Sequence, residues 1–219
     1  MNAHRARHRA SGFSLTELLV VIGVLAFLAA MVIPALKAAH HGEKRIFCVA
    51  NLHEIGTVLR REGDDPTQVV LTNYESMKQV TNGSAYLLWQ CLSNRLSSPT
   101  NMHCLSDSHR KAALSFSQGF TNANISYFFN LDAPATYTQL ILAGDRNVLV
   151  DGLAAKPGLL TVSSNDVVGW TATELHRGVG NLLMADGSCQ QLTSNGLNQA
   201  FALAFGASTN FISARLVIP

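Results

Sequence analysis

Residues 11–36 read SGFSLTELLVVIGVLAFLAAMVIPAL, and this stretch decides the architecture of the chain. From Phe13 to Leu36 it offers 24 residues, which as an α-helix rise about 36 Å and so exceed a hydrocarbon core of about 30 Å. Leu18 to Leu36 carries no charge, while residues 1–12 hold Arg5, Arg7 and Arg9 and no acid. The positive-inside bias then puts residues 1–12 in the cytoplasm and the chain beyond Lys37 on the other side. A cleaved secretory signal would have a shorter apolar region and an A-x-A-like site. Ala29-Ala30-Met31 and Ala35-Leu36-Lys37 are poor versions of one.

Glu17 stands alone in this apolar setting. A carboxylate inside a spanning helix costs on the order of 2.5–3.5 kcal/mol on insertion scales and marks a functional position by default. Near the helix start the macrodipole returns roughly 0.3–1 kcal/mol, so simple capping at the headgroup level is the plainer alternative. Pro34, near the outer end, removes one intrahelical hydrogen bond; it predicts either a kink or the end of the span.

Gly12-Phe13-Ser14-Leu15-Thr16-Glu17 followed by an apolar helix resembles the type IV prepilin signal, which type II secretion pseudopilins share. The resemblance implies that a prepilin peptidase/methyltransferase cuts after Gly12 on the cytoplasmic face and methylates the new amine of Phe13. It also implies that Glu17 pairs with the terminal amine of a neighbouring subunit during fibre assembly. The expected partners are that enzyme, other pilin-like subunits, and the inner membrane with its secretion or pilus machinery. In such proteins a proline at the place of Pro34 loosens the helix for packing.

Removing the leader leaves about 180 residues beyond the membrane helix, one ordinary domain. The formal net charge is +2 and only 14% of residues are charged, so no basic excess calls for nucleic acid. Expected boundaries are a leader over residues 1–12, a transmembrane helix over 13–36, its amphipathic continuation over 37–62, and a β-rich domain over 63–219. In the continuation, Ile46, Val49, Leu52, His53, Ile55, Gly56 and Leu59 recur at helical spacing, and Glu62-Gly63-Asp64-Asp65-Pro66 signals the stop.

Further on, Ser84–Leu96 reads as a helix with Leu87, Leu88, Cys91, Leu92 and Leu96 on one side, and Leu197–Phe205 as another. Gln68–Thr72, Ile125–Asn130, Tyr137–Ala143, Asn147–Val150, Leu159–Ser163 and Asn210–Ile218 read as strands. Asn181–Ala185 and Ser188–Leu192 flank Asp186-Gly187, a strong hairpin signal. A long helix against a mainly antiparallel sheet predicts the α+β class, the layout that pilin-like proteins share.

Three further motifs narrow the resemblance. Cys48-Val49-Ala50-Asn51-Leu52-His53-Glu54-Ile55-Gly56, Cys104-Leu105-Ser106-Asp107, and His176 followed by nine residues and Asp186-Gly187 are similar to a group of pilin-like proteins expanded in planctomycetes and verrucomicrobia, some marked by an H-x9-DG motif. That group often has Cys-Pro-Ser-Asp where this chain has Cys-Leu-Ser-Asp.

The spacing does not make His176 and Asp186 catalytic partners. A strand from Val179 to Ala185 would hold its ends roughly 20 Å apart, which leaves Asp186-Gly187 as a turn and His176 as a loop anchor. A serine elbow is absent and Gly178-Val179-Gly180 lacks the lysine of a phosphate loop, so no enzyme activity is expected. The resemblance to major pseudopilins raises calcium, for which Asp145, Asn147 and Asp151, or Asp132, Asp166 and Glu174, would be the oxygen donors. No zinc is expected, because Cys48, Cys91, Cys104 and Cys189 are widely spread and His103-Cys104 is isolated. Outside the cytoplasm the thiols either pair or pack as free groups; Cys91 with Cys104 closes the shortest loop.

Two functional classes follow. One is a structural subunit that polymerises through its N-terminal helix. The other is a membrane-anchored module that binds a polysaccharide or other ligand and uses the helix only as a tether.

Overall fold

In the computed structural model, residues 13–60, 80, 82–133, 137–207 and 211–219 are described. Gly12 and the rest of the leader, the expected stop over residues 62–66 and the expected strand over 68–72 lie outside them. The chain divides into two compact units, Met1–Glu43 and Lys44–Pro219, with the division inside the first helix.

Helix α1 runs from Leu15 to Arg60. Its start is a reciprocal capping box: the Ser14 backbone N–H donates to Glu17 Oε2 at 2.9 Å, and the Glu17 N–H donates to Ser14 Oγ at 3.2 Å. Two of the orphan donors at the helix start are satisfied in this way. Leu15–Pro34 is 20 residues long and apolar enough to cross a membrane. Its large apolar side chains are 45–79% exposed all around the helix, a surface that water does not stabilise. Pro34 does not end the helix, which continues for 26 residues beyond it.

In the second unit the buried residues of α1 are Cys48, Leu52, Ile55, Gly56 and Leu59, spaced by three and four. Ile46 and His53, expected on this face, are exposed, because the buried stripe starts at Cys48 and leaves them on the far side. Gly56 lets the helix approach the sheet closely: a Cβ there would sit 2.6 Å from Leu183 Cδ1.

The sheet has six strands in the order β5-β9-β1-β2-β7-β8, every neighbouring pair antiparallel. Its strands are β1 (Tyr127–Asn130), β2 (Ile141–Asp145), β5 (Gly158–Ser163), β7 (Val179–Met184), β8 (Cys189–Thr193) and β9 (Ser213–Ile218). A smaller antiparallel sheet, β4-β3-β6, is made of β3 (Val148–Val150), β4 (Leu153–Ala154) and β6 (Val168–Trp170). The period of two divides the core. Tyr127, Phe129 and Leu183 pack with α1 and the short helix α2 (Tyr86–Cys91), while Phe128, Leu182 and Met184 pack with Trp170 and with Leu197 and Phe201 of helix α3 (Ser194–Gly206). The fold is α+β, a long helix and an antiparallel sheet.

Two expected elements shift, and two strands stand where none was expected. The helix expected over Ser84–Leu96 closes after Cys91, where the Leu92 and Ser93 N–H groups bond the Trp89 and Gln90 carbonyls in a turn. The strand expected over Tyr137–Ala143 starts only at Ile141, since Leu140 N–H bonds the Tyr137 carbonyl in a turn that sets Tyr137 against Phe211. β4 and β6 were not expected at all; they are two and three residues long.

Candidate functional site

The motifs that looked separate along the chain meet around the second half of α1. Cys48 on the helix forms a disulfide with Cys104, 56 residues away. The pairing of Cys91 with Cys104 expected from loop length does not occur. Cys91 sits on the outer side of α2 and is exposed, while Leu88 and Trp89 turn inward. One turn along α1, Asn51 Nδ2 donates to the His103 carbonyl at 3.0 Å and to the Tyr127 hydroxyl at 3.3 Å. One turn further, Glu54 accepts from the Ser97 hydroxyl and backbone N–H and from Asn101 Nδ2. Cys48, Asn51 and Glu54 therefore hold the segment from residue 97 to 104 against the helix by one covalent bond and several hydrogen bonds.

A second set of polar groups leaves β2 in one short stretch, Asp145-Arg146-Asn147. Arg146 forks onto Asp107 with Nε–Oδ2 at 2.7 Å and Nη2–Oδ1 at 2.8 Å, and its Nη1 reaches Glu174 at 3.0 Å. Burial alone would raise the Asp107 carboxyl; the hydrogen bonds and charge of Arg146 outweigh it and hold the group below its ordinary value. Asn147 Nδ2 lies 3.4 Å from Thr171 Oγ1 and 3.5 Å from the Glu174 carbonyl, so it fixes the loop that carries His176. Leu175 and Arg177, on either side of His176, both adopt left-handed φ, 47° and 57°. Non-glycine residues in that region persist only where the surroundings hold them.

His176 itself is buried. Its Nε2 lies 3.4 Å from Cys104 Sγ and 3.6 Å from Asp145 Oδ2. Burial, aided by the charge of Arg45, pushes the imidazole down to about 4. Burial also pushes Asp145 up to about 7, against the two hydrogen bonds it accepts from Asn181. With those values the imidazole is neutral near pH 7, and the pair is a polar contact rather than an ion pair. Asp186 is not its partner: it is exposed on the β7–β8 turn, where its Oδ1 accepts from the Ser188 N–H at 2.7 Å. Gly187 supplies the positive φ of 82° that this turn needs, and Arg60 of α1 donates to the Asp186 carbonyl. Both parts of the H-x9-DG motif thus face α1 elements, at different places.

The acid sets considered for calcium are not assembled. Asp132 pairs with Arg215, Asp166 accepts from the Ser163 N–H, Glu174 pairs with Arg146, and Asp151 accepts from the Val167 N–H. Among the described residues, the group that gathers metal-type ligands is instead Cys48, Cys104 and His176, whose ligand atoms all lie within 4.8 Å of one another. Sequence spacing hid this group because its members are 56 and 72 residues apart. Arg146 was missed as well; its local sign was an Asp-Arg-Asn run set between two apolar strands, while Asn51 stood in the Cys48–Gly56 motif without a role.

Of the N-terminal site residues, Phe13 is 75% exposed ahead of the helix, and Glu17 lies in its first turn. Comparison with curated proteins and with solved structures gives no match. A family model described as the prokaryotic N-terminal methylation motif matches residues 7–33. With the capped apolar helix that begins at Leu15, this match gives the chain a prepilin-type N-terminal signal.

Proposed function

We propose that the chain is a pilin-like subunit, cleaved after Gly12 and N-methylated at Phe13, that assembles into a pseudopilus or type IV pilus-like fibre. The observation that carries this is the Gly12–Glu17 signal joined directly to an exposed apolar helix of spanning length, within the matched residues 7–33. Phe13 stands outside the helix and exposed, a position open to a peptidase and a methyltransferase. Leu15–Pro34 crosses the cytoplasmic membrane with the leader on the cytoplasmic side, and Lys44–Pro219 lies beyond it. The Cys48–Cys104 disulfide supports that side, since such bonds persist in oxidising compartments. A tether needs an apolar helix but neither a glycine–phenylalanine junction nor a carboxylate at Glu17, which disfavours the anchored binding module.

The mass of the native N-terminal peptide tests the reading. Loss of twelve residues and gain of one methyl group on Phe13 is expected, and Gly12→Val is expected to retain the leader. An unprocessed N-terminus in the wild type refutes it.

A further inference from the structure

A disulfide is uncharged and needs little beyond apolar packing, yet this one lies against an imidazole that in turn faces a carboxylate. Cys48, Cys104 and Asp145 are 0% exposed and His176 is 5% exposed. His176 Nε2 is 3.4 Å from Cys104 Sγ, and Asp145 Oδ2 is 3.6 Å from Nε2. Asp145 Oδ2 is oriented by the Asn181 N–H at 2.7 Å and by Asn181 Nδ2 at 3.0 Å, while Oδ1 is buried with no hydrogen-bond partner among the described residues. An unpartnered buried carboxyl oxygen is expensive, about 1–3 kcal/mol, and calls for a water or ion beside it. The flanking left-handed residues Leu175 and Arg177 add a second sign that His176 is held in place for a purpose.

We propose that in the dithiol form of the chain Cys48, Cys104 and His176 bind one zinc(II) ion, with a water completing the tetrahedron and Asp145, 3.6 Å from His176 Nε2, placed to accept from that water. Two thiolates, an imidazole and a water form a donor set that suits tetrahedral zinc. With Zn–S of about 2.3 Å and Zn–N of about 2.0–2.1 Å, a tetrahedral S···N edge is about 3.6 Å, close to the separation already present between Cys104 and His176. The two sulfurs have to part to about 3.8 Å once they are no longer bonded. A cleft of about 190 Å³ lined by Arg45, His176, Asn181, Gln191 and Thr193 reaches the imidazole side of the group. The same two side chains then tie α1 to the segment before residue 104 either covalently or through a metal.

Of the four thiols of a newly made chain, two lie at this site; binding zinc forms two Zn–S bonds and releases their two protons. The oxidised chain must first take two electrons from a water-soluble phosphine and two protons from water, whose oxygen leaves on the phosphine oxide.

Cobalt(II) titration of the full chain in detergent micelles, after phosphine reduction, tests the site. The expected result is one cobalt per chain with thiolate charge-transfer and tetrahedral ligand-field bands, displaced by one equivalent of zinc. Cys48→Ser and His176→Ala are expected to weaken binding more than about 100-fold, and Asp145→Asn about 10-fold, while a Cys91→Ser/Cys189→Ser double variant binds as the wild type does. The oxidised chain is expected to bind none. Circular dichroism of oxidised His176→Ala, whose disulfide remains, shows whether that variant is folded. Absent bands in the reduced wild type, undiminished bands in Cys48→Ser or in folded His176→Ala, unchanged affinity in Asp145→Asn, loss of the bands in the double variant, or cobalt bound by the oxidised chain would each overturn the site.

Discussion

Glu17 and Asp107 are both carboxylates in demanding places, and each is held by named neighbours. In the single chain Glu17 is half of a capping box with Ser14, a local task worth about 1 kcal/mol. Assembly would ask it to pair with the amine of another subunit. The two tasks separate experimentally. Glu17→Ala is expected to leave a processed, membrane-inserted chain that is missing from the fibre fraction. Ser14→Ala, which removes only the hydroxyl half of the cap, is expected to assemble. Equal failure of both would assign Glu17 to the cap alone. Asp107 is fully buried under the fork of Arg146, so Asp107→Asn leaves a guanidinium that is 11% exposed with Glu174 as its remaining acid and should cost about 2 kcal/mol in a urea denaturation. The sign with pH follows from the direction of the shift. As pH falls, the unfolded carboxylate takes its proton first, so the contribution of Asp107 is complete above about pH 5 and is lost as pH drops through the lower folded value. The stability of the Asn variant should fall less between pH 5 and pH 3 than that of the wild type. An identical acid limb in the two proteins would remove Asp107 from the account.

Helix α1 serves two environments with two patterns. From Leu15 to Pro34 it is apolar all round; from Cys48 to Leu59 it is apolar along one stripe, and the rest of its surface carries Asn51 and Glu54 as hydrogen-bonding groups. The disulfide adds a tie between α1 and a segment with little regular structure beyond a 3-10 turn at Pro99–Met102. A bridge across 56 residues restricts the unfolded chain by about 4 kcal/mol in the loop-entropy estimate. Cys48→Ser in a chelating buffer is expected to lose about that much unfolding free energy in urea relative to the oxidised wild type, and a loss below about 1 kcal/mol would show the hydrogen bonds of Asn51 and Glu54 to be sufficient. The local period of an element was easy to read in α1, in the hairpin around Asp186-Gly187, and in β5, β8 and β9, where apolar residues and turn residues alternate plainly. It failed for β6, where Val168-Gly169-Trp170 is too short to show a period, and for α2, where the leucines continue past Cys91 although the helix does not.

For the whole molecule, the sidedness of the membrane links the signal to the domain. Cys91 is an exposed free thiol in Lys44–Pro219, whereas Cys189 is half-buried and burial pushes its thiol up to about 11. A membrane-impermeant maleimide applied to spheroplasts is expected to label Cys91 and to leave Cys189 largely untouched until denaturation; protection of Cys91 until lysis would place the domain in the cytoplasm and defeat the proposed topology. The prepilin-type signal was legible in the amino-acid order because it rests on contiguous properties: a charge-free run and, before it, a glycine–phenylalanine junction close to one acid. Such properties act on the chain as it meets a membrane or a peptidase, before any tertiary contact forms. Which cysteine bonds Cys104, which acid faces His176, and that Arg146 joins Asp107 to Glu174 were decided only by the folded domain. Those groups are brought together by the strand order of the sheet and by the seat of α1 upon it, and proximity across tens of residues leaves no mark on local spacing.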